Sequence, residues 1–312
     1  MATCSERHFC AGERRNLVAD RAHREHREPM SAILLALGSA VAYGAADFLA
    51  GWLSRRSHYA RVSLLAQLAA GTGALLASLV VGGRPSAPAL AWGALSGLGS
   101  GLGTLALYRG LAQGRMNVVA PLSGVLAAAL PALFGLLLGE RPGPAAMAGL
   151  ALALPAVWLT ARTEDQAGAW STASTSSGAL DGVLAGLGFS VLFIGLQRAG
   201  RGEGLWPTAA SQLVAVLPML ALHARSLRQP DRATDPWLRS GPLLVGVLVA
   251  LAAICFFLGT QRGLLTVVAV LTSLYPAVTV ALARWLLAEH IGRWQGVGLA
   301  LAGVSVALIS GG

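Results

Sequence analysis

Apolar runs of 16 to 24 residues recur along the chain from Met30 onwards, broken by short stretches containing Arg, Gly, Pro or Ser. A helix needs about 20 apolar residues to cross a bilayer. The pattern therefore predicts ten spans: residues 31–53, 60–81, 89–108, 117–138 and 145–160, then 179–196, 206–223, 241–260, 265–288 and 292–309. None of these runs alternates as a barrel strand does, and a backbone in lipid must satisfy its hydrogen bonds within the segment, so the spans are read as helices. Two polar segments lie outside the pattern. Residues 1–29 contain no apolar run and are expected to form a disordered tail, neither signal peptide nor span, with Met30 a candidate start. Residues 162–177 are rich in Ser and Thr and read as a flexible connection.

Sliding the chain on itself by 149 positions reveals a repeat. Gly114, Val118, Val119, Ala120 and Leu122 fall on Gly263, Val267, Val268, Ala269 and Leu271. Leu138 and Glu140 fall on Leu287 and Glu289, and Gly149 to Ala153 on Gly298 to Ala302. Earlier spans align at slightly smaller offsets, which puts Tyr43 on Phe189, Asp47 on Phe193 and Gln67 on Gln212. The expected organisation is thus a first repeat over 30–161 and a second over 178–312, each of five spans. An odd number of spans makes the second copy enter the membrane from the opposite side, an architecture of secondary transporters. The expected fold class is an all-α integral membrane protein of ten helices in two inverted five-helix repeats.

Composition agrees. Hydrophobic residues make up 55 % of the 312 and charged residues 12 %, against roughly 25 % charged in a soluble domain. All 23 basic residues counted as Lys or Arg are Arg, and the net charge is +9. These arginines sit between apolar runs, with no polar face on which nucleic acid would lie. Cys4, His8 and Cys10, with His23 or His26, do not match a recognised zinc spacing, and three cysteines give no disulfide framework. No metal or cofactor is expected.

Several short features resemble the drug/metabolite transporter superfamily, in particular its branch with two EamA domains. They are Tyr43-Gly44 in the first span, Val119-Ala120-Pro121-Leu122 in the fourth, Gly139-Glu140-Arg141 at the fourth span's end, and its echo Ala288-Glu289-His290. The second copy keeps Tyr275-Pro276, whereas the first has Ala127 at the matching place with prolines at 121 and 131, so no symmetric kink is expected. The resemblance implies export or exchange of a small metabolite or drug-like molecule at the cell membrane, often with protons as coupling ion, and termini in the cytoplasm. Arginine counts do not add to that last point: the loops on the side opposite the termini hold more Arg, which by the positive-inside rule favours termini outside, but the six arginines of residues 1–29 bring the two sides level.

Asp47 is the sharpest chemical signal. An acid within a span costs about 2.5–3.5 kcal/mol on translocon scales unless it faces protein or water, so it reads either as a proton site or counter-charge for a cationic substrate, or as a structural bridge between helices. Gln67 and Gln212, at matching places, are candidates to line a central cavity or to join helices. Tyr43, Tyr275, Thr272 and Ser273 are further candidate lining residues, with ordinary helix packing the alternative for each. Glu140 and Glu289 at span ends are expected to bond a neighbouring helix end. Glycines 93, 97 and 101, with 99 and 103, lack nucleotide-loop spacing and predict close helix contact instead. Ser100 among them has no deep His to act as base. A membrane-embedded enzyme acting on a lipid-linked substrate, or a scaffold without transport, are the alternatives to a transporter. Oligomeric state and substrate identity are not legible.

Overall fold

The structure, a computed structural model, describes residues 5–54, 56, 59–112, 116–161, 172–223, 236–287 and 292–311; the side chains of 5–29 and of a few helix-end residues are not among those described. All regular elements among these residues are helices: α1 (Ser5–Ser54), α2 (Tyr59–Val81), α3 (Ala87–Ala112), α4 (Met116–Leu137), α5 (Pro144–Thr160), α6 (Thr172–Arg198), α7 (Trp206–Val214), α8 (Val216–His223), α9 (Pro236–Arg262), α10 (Leu265–Thr272), α11 (Tyr275–Leu287) and α12 (Arg293–Gly311). Eight stretches are long and apolar enough to cross a membrane: Met30–Ser54, Arg61–Val81, Ala87–Leu107, Val119–Leu137, Ala179–Arg198, Ser240–Arg262, Leu265–Leu287 and Arg293–Gly311. The expected fifth and seventh spans are shorter apolar helices, Pro144–Thr160 and Trp206–Ala221. Large apolar side chains such as Val80 and Trp285 point outward, fully in keeping with a lipid-facing surface.

Two polar segments, expected to be a disordered tail and a flexible connection, take helical backbone over their described residues. Helix α1 runs back through 5–29, where Ala, Arg and Glu, all good helix formers, are frequent. Helix α6 begins at Thr172, inside the connection expected over 162–177; residues 162–171 of that connection lie outside those described.

Two predicted spans are broken. The seventh divides at Ala215, between α7 and α8, and the ninth at Ser273 and Leu274, between α10 and α11. Each break precedes a proline by two or three residues. Pro218 cannot donate to the carbonyl of Val214, and Pro276 cannot donate to that of Thr272, so the turn before each loses its bond and is crowded by the ring. Helix α4, with Pro121 and Pro131, runs unbroken. Among the described residues the first-half counterpart of the broken ninth span is thus unbroken, in keeping with the different proline placement.

Packing follows a pairwise pattern. Helix α3 lies along α6 and α1 along α9; α4 lies on α6, and α10 and α11 lie on α1; α2 lies on α9, and α7 and α8 on α3; α5 pairs with α12. Small residues set these approaches. Gly93, Gly97 and Gly101 bring α3 against the backbone of α7 and its junction with α8, while Gly99 and Gly103, on the other face, meet Gly188, Val191 and Ala185 of α6. A Cβ at Gly99 would stand 2.7 Å from the Gly188 carbonyl oxygen, too close for any side chain. Gly99→Val is expected to cost about 3 kcal/mol or more through overpacking, seen as a loss of detergent-soluble monodisperse protein.

The main core gathers at the end of the bundle where α1's apolar part, α7 and α10 begin and α6 and α9 finish. It contains Ala32, Ile33 and Ala36 of α1, Leu192, Phe193 and Leu196 of α6, Phe256 and Phe257 of α9, and Leu265, Val268 and Leu271 of α10. Phe193 and Phe256 stack with ring centroids 4.5 Å apart. That end is filled. The opposite half is not.

Candidate functional site

A cavity of about 150 Å³ adjoins this core, sharing Leu192 and Phe193 with it, and extends into the other half of the bundle. Its wall comes from both halves of the chain. Helix α1 gives Tyr43 and Asp47, α2 gives Ser63 and Gln67, and α3 gives Ser100 and Thr104. From the second half come Phe189 and Phe193 of α6, Gln212 of α7, Met219 of α8, Val245 of α9 and Tyr275 of α11. A water needs about 10–15 Å³ by this kind of measure, so the space suits a ligand of about ten non-hydrogen atoms.

Asp47 follows Gly44 by three residues and so lies on the same face of α1 as Tyr43 and Gly44. It sits seven residues, about 10 Å, inside the end of the span at Ser54, nearer the span's middle than that end. Its side chain is solvent-accessible because it opens into the cavity. Among the described residues it has no hydrogen-bond or ion-pair partner. Gly44 lets α11 approach: Thr279 Oγ1 donates to the Gly44 carbonyl at 3.1 Å and to the Tyr275 carbonyl at 3.2 Å. This contact sets the rings of Tyr43 and Tyr275 6.3 Å apart, inclined at 60°.

Gln67 and Gln212 meet directly. Nε2 of Gln67 donates to Oε1 of Gln212 at 2.8 Å and to its backbone carbonyl at 3.0 Å, and both residues are buried. The amides thus join α2 to α7 and face the cavity at once, so the joining and lining readings are compatible. A further buried junction adjoins them: Ser96 Oγ of α3 bonds the Leu192 carbonyl of α6 at 2.9 Å and the Ser211 hydroxyl of α7 at 3.0 Å.

Thr272 and Ser273 do not line the cavity. Both are fully buried at the break between α10 and α11, where Thr272 Oγ1 points to the Ala36 carbonyl. Conversely, Phe189 and Phe193 are wall residues that inspection for polar groups passes over. The repeat does signal them, since they are the counterparts of Tyr43 and Asp47.

Glu140 is a helix-end group. Gly139 takes a left-handed conformation, φ 92°, that closes α4, and the Gly139 and Glu140 amides return to the carbonyls of Leu136 and Gly135. The carboxylate then reaches the start of α10. It accepts from the Leu265 and Thr266 amides, each at 2.8 Å, and from the Thr266 hydroxyl at 2.5 Å. Removing it leaves two amides unpaired at about 1–3 kcal/mol each. Glu140→Ala is expected to lower stability by about 2–4 kcal/mol in thermal unfolding, with Glu140→Gln intermediate. Glu289 lies outside the described residues. Asp181 lies near the start of the apolar span Ala179–Arg198 of α6, buried and paired with Arg109 at the end of α3, whose Nε donates at 2.8 Å.

Comparisons with known proteins bear on this geometry. A crystal structure of another protein superposes with a TM-score of 0.69 at 18 % identity, over 89 % of this chain and 96 % of that one; at that identity the likeness is one of fold. No curated protein matches the chain. Residues 176–311 of this multi-pass membrane chain match the model of the EamA-like transporter family, so the second half is similar to that family.

Proposed function

We propose that the protein is a secondary transporter of the cell membrane that exports or exchanges a small molecule by alternating access. In this reading it has ten spans in two inverted halves, with Asp47 as the group that carries a coupling proton. The observation that carries the reading is the composition of the cavity wall. Tyr43 and Phe189, Asp47 and Phe193, and Gln67 and Gln212 are counterparts in the two halves, and all six face one space. A two-fold relation through the cavity has this consequence, and alternating access in such folds is an exchange of arrangement between related halves.

The pairing of helices supports the same relation. Exchanging the halves turns α3 on α6 into α9 on α1, and α2 on α9 into the α7–α8 pair on α3, contacts that are all present. At the α5–α12 contact, Gly149 meets Ile309 and Gly298 meets Thr160, and each of these pairs is the other shifted by the repeat. The filled end and the cavity end are then the closed and open sides of one state. An enzyme would need a nucleophile and base around one bond, whereas this wall offers one acid, two amides, hydroxyls and apolar groups.

The reading is tested by a metabolite uptake and efflux screen on cells with and without the protein. The expected result is a protein-dependent gradient for one chemical class. No difference for any class, with the protein present in the membrane, would remove the proposal.

A further inference from the structure

The cavity wall also bears on what it would hold, granted the transporter reading. Asp47 is the one residue with a formal charge among those lining it. The Arg109 side chain, two residues beyond Leu107 of the wall, is engaged by Asp181. Four aromatic rings, Tyr43, Phe189, Phe193 and Tyr275, border the same space. Much of the remainder is apolar, including Val62, Leu107 and Met219.

We propose that this cavity is a site for a small monovalent organic cation: an ammonium on a compact apolar body, about ten non-hydrogen atoms in all. Asp47 is its counter-charge, and the aromatic rings bordering the space are groups of the kind to which cations are drawn. An unpartnered carboxylate within a span is costly by itself, and an entering cation removes that cost where a neutral molecule does not. An anion would meet a like charge without any cation on the wall to hold it. A zwitterion such as an amino acid would satisfy Asp47 with its ammonium and leave its carboxylate unmatched. Gln212, with its side-chain and backbone carbonyl oxygens both taken by Gln67, keeps an amide N–H group, which is too weak a substitute for a cation at that place.

The probe is benzyltrimethylammonium, which is permanently charged and carries no proton of its own. Its binding to the purified full chain in nanodiscs is measured by equilibrium dialysis beside benzyl alcohol, benzoate and phenylalanine. The expected result is affinity for the cation at least tenfold above that for each comparator. Asp47→Asn is expected to lower it at least tenfold, Asp47→Glu to keep part of it, and Tyr275→Phe to keep it within about threefold while Tyr275→Leu weakens it more. Benzoate or phenylalanine binding as well as the cation in the wild type would overturn the proposal without recourse to any variant, as would unchanged cation binding in a folded Asp47→Asn protein. The two readings fail separately. Cation binding without protein-dependent movement in proteoliposomes would overturn the transporter reading and keep the site; movement of anions or neutral molecules with no cation binding would do the reverse.

Discussion

Asp47→Asn is expected to abolish proton-coupled exchange in proteoliposomes, reducing it at least a hundredfold to the level of protein-free vesicles, while leaving the protein folded. Asparagine keeps the shape of the side chain but cannot release a proton. Since Asp47 has no partner among the described residues, its replacement breaks no bond, and an amide within a span costs less than a charge. The thermal midpoint should therefore be unchanged or higher. A structural bridge would behave in the opposite way, losing stability along with activity. The sign of the pH dependence follows from competition for one carboxylate: acidification fills Asp47 with a proton and weakens binding of a cationic ligand, up to about tenfold per pH unit, whereas Asp47→Asn shows no such slope. Tyr43 on α1, Tyr275 on α11 and the half-buried Cys255 thiol of α9 are the other titratable groups nearby; α2, α3, α4, α6, α7 and α8 contribute none to the wall.

Gly44→Val is expected to be the most damaging change that leaves every polar group of the site in place. A Cβ at Gly44 would stand 2.6 Å from the Val278 Cβ and 2.7 Å from the Tyr275 carbonyl oxygen. The second of these is backbone and cannot swing aside, so α1 and α11 must separate. Separation stretches the Thr279 bond to the Gly44 carbonyl and parts the Tyr43 and Tyr275 rings. Overpacking of this kind costs about 1–3 kcal/mol, and a clash with backbone lies at or above the upper end. We expect a thermal midpoint several degrees lower and near-complete loss of transport, with Gly44→Ala milder in both. Wild-type transport by Gly44→Val would show that the α1–α11 contact does not shape the cavity.

How much of this was legible in the sequence differs from residue to residue. The apolar runs located the helices because in lipid the backbone leaves no alternative. Asp47 stood out because an acid within a span is rare, and the two glutamines because they occupy matching places in the repeat; the cavity brings all three together. For Thr272 and Ser273, lining and helix packing were both open from the sequence, and they lie packed at the break that precedes Pro276. A break precedes Pro218 in the seventh span too, whereas α4 absorbs two prolines, so a proline's presence does not by itself tell a break from an unbroken helix. The Glu140 cap was readable as a chemical type, a boundary carboxylate suited to a helix end, but its target, the start of α10 some 125 residues away, is a property of the tertiary arrangement alone. Likewise, the partner of Asp181, Arg109 at the end of α3, comes only from the packing of α3 on α6.

The most direct test of the central claim is the lumenal pH of dye-loaded proteoliposomes while a gradient of each of four ligand classes, cationic, neutral, anionic and zwitterionic, is imposed in turn. The account predicts that wild-type protein converts the gradient of at least one class into a movement of protons, and that Asp47→Asn protein, reconstituted to the same density, converts none. A lumenal pH that stays constant with every class, or shifts equally in the Asp47→Asn vesicles, would contradict it.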